Sequence, residues 1–361
     1  MVVLLTGASG VVGREILARL VERADVERVY ALVHRTPVVT ASAKVVRVEG
    51  SITAGETLGL TAGALAALKD VTGVIHAAAD TRFDGPVAEL HETNVNGTRH
   101  ILQLARRFPE LDRVCVLSTV YVAGRRRGRI RESELMHDAG FVNAYEGSKY
   151  EMEAVLREGE HGLPVAVVRL STVIGDSGDG HVGSQAAFHH ALRLYYQSLA
   201  PMLPGVEDSP VDLIPTDYAA DAVTTLACDG FSAGVTTHVC AGDDAPEIGH
   251  LLNLAIEAFH ACRPAWRRRA IAKPAIVSLA TFERFADTVD ELEDATLSAA
   301  TRLVRPFAPQ LAFPKRFDET AARAILETHG VVRPPFPSYF RRVVQHLIET
   351  HWSVRADAAT A

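Results

Sequence analysis

Tyr145 and Lys149 stand four residues apart in a stretch, residues 144–158, whose pattern predicts a helix. That spacing puts both side chains on one helix face, within reach of one ligand. A phenol, which titrates near ~10, is a poor acid at neutral pH unless a nearby cation stabilises its anion. Lys149 can supply that cation and also bond a ribose. Thr119 lies just past the apolar run Val114-Cys115-Val116-Leu117, where its hydroxyl can hold a carbonyl oxygen. These three groups suit the polarisation of a carbonyl and the delivery of a proton to it.

A second set of residues suits an anion. Residues 2–5, Val-Val-Leu-Leu, read as a buried parallel strand because they are apolar without alternation. Gly7, Gly10 and Gly13 follow, and from Arg14 onward Ile16, Leu17, Leu20 and Val21 recur at helical spacing. Strand, closely spaced glycines and helix in that order form a dinucleotide-binding pattern: a tight turn, close approach of backbone to pyrophosphate, and a helix N-terminus whose free N–H groups favour anions. Thr6, Gly7, Ser9, Gly10, Val11, Val12, Gly13 and Arg14 are its candidate contacts.

These residues need a sheet to position them. Strands are expected at residues 29–33, 45–48, 71–76, 114–117 and 165–170, with helical patterning between them, notably at 86–108 and 144–158. Strand and helix in alternation imply a doubly wound parallel sheet, which delivers residues such as Thr119 to its C-terminal edge. After Gly175 the rhythm changes, and a helix at 215–227 and a strand at 237–240 return to it. The expected division is a nucleotide-binding domain at 1–175 with a return segment near 213–242, and a substrate-binding and cap region at 176–212 and 243–361. Phe188, Leu192, Tyr195 and Tyr196 read as core, with acyl-pocket lining as the functional alternative, and residues 275–282 as a buried helix face. The alanine-rich end after Trp352 is expected to fray.

Forty-four acidic residues outnumber 37 basic ones in 361, which argues against a nucleic-acid partner. Cys115, Cys228, Cys240 and Cys262 form no C-x-x-C pair and suit a reducing, cytoplasmic setting. The N-terminal apolar run ends in glycines too early for a signal peptide, and no stretch approaches a membrane span. His181, His189 and His190 lack a metal-binding spacing, so no metal is expected; His76 reads as packing. Residues 175–178, Gly-Asp-Ser-Gly, do not form a hydrolase nucleophile turn. Arg125-Arg126-Arg127 and Arg267-Arg268-Arg269 read as solvated surface, with contact to the phosphates of a thiol carrier as the functional alternative for the first.

The motifs Thr6-Gly7-x-x-Gly10-x-x-Gly13, Thr119 and Tyr145-x-x-x-Lys149 resemble the extended short-chain dehydrogenase/reductase superfamily over roughly the first two-thirds of the chain. Residues 76–84, 94–98 (Asn-Val-Asn-Gly-Thr), 118–122 and 169–175 are most similar to fatty acyl-CoA reductases and thioester reductase domains of carboxylic acid reductases and peptide synthetases. The pattern at 317–320, followed by Pro334-Pro335 and Tyr339, is also similar to them. The resemblance implies a Rossmann-type doubly wound sheet with a smaller, mainly helical C-terminal substrate-binding region. It also implies reduction of an acyl thioester, as acyl-CoA or on a carrier protein arriving in trans, to an aldehyde and on to an alcohol. Thr119 and Tyr145 would bond the oxyanion, and Asn94 would position Lys149 or a relay water. Ala77, Ala78, Ala79, Ser118, Leu170, Ser171, Thr172 and Val173 would line the cofactor.

Cofactor choice has its own residues. An NAD site places an acid after the second strand; this chain has His34-Arg35, and Arg35 would attract a 2′-phosphate, so NADPH is expected over NADH. Where many relatives carry an acid near the adenine, the chain has Ser51-Ile52. A homo-oligomer is compatible with the sequence. The same triad also serves a ketone, alcohol or steroid dehydrogenase and a nucleotide-sugar epimerase, and a non-catalytic dinucleotide-binding protein would need only the glycine turn.

Overall fold

Seven runs, most of them rich in β-branched residues and leucine, pair into one sheet: β1 (Val2–Thr6), β2 (Arg28–Val33), β3 (Val45–Glu49), β4 (Gly73–His76), β5 (Arg113–Thr119), β7 (Val165–Leu170) and β11 (Thr236–Val239). Their order is β11-β7-β5-β4-β1-β2-β3, and every pairing is parallel. β1 and β4 are neighbours although β2 and β3 intervene in the chain, which makes their C-terminal ends the crevice where ligands of such sheets bind. The computed structural model describes residues 1–159, 162–263, 272–291 and 295–353. The Arg267–Arg269 run, Pro264 and residues 354–361 of the alanine-rich end lie outside them.

Both sheet faces are covered, as the non-alternating strands require. On one face Ile16, Leu17 and Leu20 of α1 (Val11–Glu22) pack with Tyr218, Val223 and Leu226 of α7 (Thr216–Ala227). On the other lie Ile101, Leu102 and Leu104 of α4 (Gly97–Ala105), with Met152 and Leu156 of α5 (Ala144–Arg157). A further cluster stands outside the sheet, where Leu192 and Tyr195 of α6 (Ala187–Tyr196), Phe259 of α8 (Ile248–Cys262), and Tyr339 and Phe340 of α12 (Phe336–Glu349) converge.

Small pairings that local pattern did not predict tie the C-terminal region to the sheet part and hold it together internally. β6 (Gly128–Ile130) pairs with β13 (Lys315–Phe317), and β9 (Met202–Pro204) with β12 (Ala275–Val277). The second pairing corrects the reading of 275–282 as one helix face: three residues form a strand, and α9 (Leu279–Glu291) starts only afterwards. Two- and three-residue strands are too short to carry a period, so only their partners define them.

Candidate active site and cofactor edge

The glycine turn is built by exclusion of side chains. Gly7 adopts φ +74°, and a Cβ there would lie 2.6 Å from the Ala77 carbonyl carbon and the Ala78 nitrogen; at Gly13 it would lie 2.0 Å from the Gly7 oxygen. The turn is closed by Gly10 N donating to Gly7 O at 2.9 Å. Gly10 then caps α1 with no side chain, and no acid stands in its first turn, so the helix's free N–H groups face outward without a competing anion. Beneath the turn, Thr6 Oγ1 accepts from Ala78 N at 3.1 Å and meets His76 Nδ1 at 2.7 Å. His76 Nε2 meets Thr98 Oγ1 at 3.1 Å, and burial drives the imidazole down to about 3, with Lys149 adding to the effect. His76 is thus a neutral internal brace. This backbone cradle, which any side chain would fill, fits a pyrophosphate.

Thr119 and Tyr145 come together at the sheet's C-terminal edge. Thr119 ends β5, and its hydroxyl accepts from Tyr121 N at 3.2 Å. Helix α5 begins where Asn143 caps it, accepting from Glu146 N at 3.0 Å, while the Glu146 carboxylate reaches back to Val142 N at 2.9 Å. This fixes Tyr145 in the first turn. Burial raises the Tyr145 phenol's pKa, the Thr119 hydroxyl bonds it and opposes the rise, and Glu146 and Tyr121 reinforce it. The phenol is therefore protonated at neutral pH, a hydrogen-bond donor.

Lys149 sits deeper than its spacing implies. Its Nζ donates to Leu117 O at 2.8 Å, and burial lowers its pKa to about 8 against the favourable charge of Glu153. Asn94 occupies a π-helical turn, Glu92–Asn96, that rotates its side chain inward. Its amide nitrogen donates to Asp80 O and to Ser148 Oγ, both at 2.9 Å, and its oxygen accepts from Asp80 N at 2.8 Å. It fastens α5 beside Lys149 and makes no bond to the ammonium.

Strand alternation separates two neighbours. Thr119 faces the crevice side, whereas Ser118 turns to the opposite side, donating to Glu153 Oε1 at 2.5 Å beneath a buried pair in which Arg169 Nη2 lies 2.7 Å from Glu153 Oε2. The Ser118 hydroxyl is thus engaged in this buried network. Leu170 is the register partner of Thr119, and Ser171 Oγ donates to Asp212 O at 2.8 Å. Thr172 Oγ1 meets Tyr121 Oη at 2.8 Å, and Val173 is half-buried in the short strand beside it. Arg35 stands exposed past β2 without a polar partner among the described residues. Ser51 bonds Thr53, and Ile52 turns its side chain into the core against Gly97 while its carbonyl meets His100. Ser9, Val11 and Val12 are half-buried, and Arg14 borders a small cleft with Asp176, His181 and Thr216.

An apolar cavity of about 150 Å³ adjoins this edge. Phe83, whose ring lies 5.4 Å from that of Tyr145, forms part of its wall together with Tyr121, Thr172 and Glu146. The remainder comes from Phe188, Leu192 and Tyr195 of α6, Leu251, Leu252 and Ala255 of α8, and Phe307, Gln310 and Leu311. Leu192 and Tyr195 are buried in the core cluster and, with Phe188, also line the cavity, whereas Tyr196 is core without reaching it, edge-on to Phe259 and tilted against Trp352. Periodicity marks the buried face of a helix but not whether that face meets side chains or a void. Glu146, Gln310 and Lys315 were missed altogether. Gln310 bonds Glu146, Lys315 Nζ donates to Gln310 Oε1 at 2.7 Å, and the buried Lys315 lies beside Glu146, whose carboxyl pKa is raised by burial. Only Glu146, adjoining Tyr145, carried a sequence signal.

The profile of the family described as "Male sterility protein", an NAD-binding family, matches residues 36–223. Among curated relatives, a carboxylic acid reductase of Segniliparus rugosus is 32% identical over 182 residues, 45% of this chain and 15% of that protein. The hybrid PKS-NRPS synthetase xenE of Xenoacremonium sinensis is 28% identical over 247 residues, 65% of this chain and 6% of that protein. The chain thus spans a small fraction of either relative. Among solved structures, the terminal R domain of the myxalamid PKS-NRPS biosynthetic pathway superposes with a TM-score of 0.77 at 24% identity, covering 98% of this chain and 91% of that one, a likeness of fold. With the family match spanning more than half of its residues, the chain belongs to the male sterility NAD-binding family of extended short-chain dehydrogenase/reductases, a family of NAD(P)-dependent oxidoreductases.

Proposed function

We propose that this protein is an NADPH-dependent reductase of an acyl thioester, giving an aldehyde and, with a second reduction, an alcohol. The observation that carries the reading is the apolar cavity whose wall includes Phe83, the ring 5.4 Å from that of Tyr145, and Tyr121 and Glu146, the chain neighbours of the site residues. A nucleotide sugar would need many hydrogen-bonding groups in that wall, whereas an acyl chain needs apolar surface. The residues 176–212 and 243–361 then form the substrate-binding region, since α6, α8 and Gln310 contribute most of the wall.

In this mechanism the dinucleotide, once bound, supplies a hydride to the carbonyl carbon. Thr119 Oγ1 and Tyr145 Oη donate to the carbonyl oxygen and stabilise its developing negative charge. A neutral phenol is required for that donation, and the buried setting of Tyr145 maintains it. Lys149 holds the ribose and the positive charge near the phenol. On collapse the C–S bond breaks and its electron pair leaves on sulfur as thiolate, which takes a proton from solvent as it departs; in the second reduction Tyr145 Oη delivers the proton that completes the alcohol. The apolar wall keeps water from the reacting centre. Arg35, with no polar partner among the described residues, would take the 2′-phosphate, and Gly7 to Gly13 the pyrophosphate.

The test is incubation of purified protein with NADPH and a panel comprising a long-chain acyl-CoA, an acyl carrier protein, an aldehyde, a steroid ketone and a nucleotide sugar, followed by product mass. Thiol release with aldehyde or alcohol is expected. Turnover of preformed ketones or sugars alone would overturn the reading. Replacement Arg35→Ser should lower the preference for NADPH over NADH roughly tenfold or more, the worth of a charge-assisted hydrogen bond.

A further inference from the structure

Around Phe313 the protein gathers positive charge it does not neutralise. The Arg127 guanidinium carbon lies 5.2 Å from the ring centroid, that of Arg125 5.9 Å, and Lys315 Nζ 5.9 Å. An aromatic face attracts one cation, but three around one ring repel each other. The neighbouring cations are each accounted for. Arg126 pairs with Glu134, Arg129 Nη2 lies 2.7 Å from Asp243, and Lys315 is buried beside Glu146 and donates to Gly124 O at 2.5 Å. Arg125 and Arg127 are exposed, and neither has an acidic partner within salt-bridge distance among the described residues, in a chain whose net charge is −7.

The cluster is also one side-chain layer from the substrate cavity. Gln310 and Leu311 belong to the cavity wall, and Gln310 is bonded to Lys315. Arg125 lies near enough to Glu146, another wall residue, to act on its carboxylate. Two guanidinium groups held on one ring, close to the cavity, form a fork for a phosphate dianion.

We propose that Arg125 and Arg127, seated on Phe313, bind the phosphate of a phosphopantetheine thioester whose acyl chain occupies the cavity. The proposal rests on the thioester reading and names how that substrate is held. The same phosphopantetheine phosphate occurs in coenzyme A and on carrier proteins.

One acyl chain presented on pantetheine, on phosphopantetheine, on coenzyme A and on a holo carrier protein separates the contributions. With the wild-type protein and NADPH, KM for the phosphopantetheine and coenzyme A thioesters should lie roughly tenfold or more below that for the pantetheine thioester, at similar kcat. The Arg125→Gln/Arg127→Gln double variant should erase that difference while leaving the pantetheine thioester unaffected. Raised salt should erode it in the same direction. Calorimetric titration with non-reactive S-alkyl thioethers of pantetheine and phosphopantetheine reads the phosphate dependence without turnover. Equal affinity for the two thioethers, or a double variant that keeps the wild-type difference, would overturn the site. Failure to reduce any thioester would sink the thioester reading instead, leaving the titration to judge the phosphate site. A carrier-bound KM well below that of the free phosphopantetheine thioester would assign the phosphate to a carrier's arm; equal values would assign it to coenzyme A, and both results support the site.

Discussion

The cofactor edge and the apolar cavity adjoin each other, yet they are made in opposite ways. The edge is backbone: a turn of glycines from one short segment, closed by Gly10 N to Gly7 O and braced by Thr6 and His76. The cavity is side chains: Phe83, residues of α6 and α8, and the segment carrying Phe307, Gln310 and Leu311, more than two hundred residues apart in sequence. A backbone site tolerates almost no added atom, whereas a side-chain cavity can be reshaped. That difference predicts where substitution destroys function and where it merely changes the substrate.

The harshest break of the contrast is Gly13→Val. A Cβ 2.0 Å from the Gly7 oxygen forces the turn apart, so NADPH binding, followed by fluorescence titration, should be lost outright, with roughly 1–3 kcal/mol of stability in thermal unfolding. Tyr145→Phe, at the junction of the two regions, should keep cofactor affinity while lowering kcat roughly 10²–10⁴-fold, measured under saturating substrate. In the cavity, Ala255→Leu should retain activity on short acyl chains and cost about tenfold in kcat/KM on the longest, by competition between chain lengths.

The mildest effect comes from pH. Burial holds Lys149 at about 8, so its charge is present below that value and lost above it. Turnover should fall as pH rises through 8, to roughly half its plateau there, and Lys149→Arg should remove that fall because a guanidinium does not titrate in this range. Stability moves the other way. Because the folded value lies below the ordinary 10.5, the unfolded chain holds this proton more tightly, and this residue's contribution to stability rises between about 8 and 10.5.

The parallel sheet was legible because its strands are buried on both faces, which leaves continuous apolar runs such as residues 2–5 and 165–168. The glycine turn was legible because only glycine satisfies its sterics. Ser118 was legible only as a member of a motif: alternation, read one residue further, points it away from Thr119 and toward Glu153. The cavity was not legible, since α6 and α8 carry the same helical periodicity whether their apolar faces close on each other or leave a void. Nor did spacing reveal that Lys149 would bond Leu117 O, because side-chain depth depends on what packs around the helix.

By itself the sequence determined the local devices: strand, glycine turn, the hydroxyl of Thr119, and one helix face bearing Tyr145 and Lys149. Their chemistry depends on residue types and short spacings, which the chain writes in contiguous segments. Only the tertiary structure decided what stands opposite them. The pairing of β6 with β13 brings Phe313 and Lys315 to the loop after Thr119, and the pairing of β9 with β12 helps anchor the segments around the cavity. Those strands are too short to be specified by anything but their partners, so the surroundings of the carbonyl site arise from contacts between distant parts of the chain.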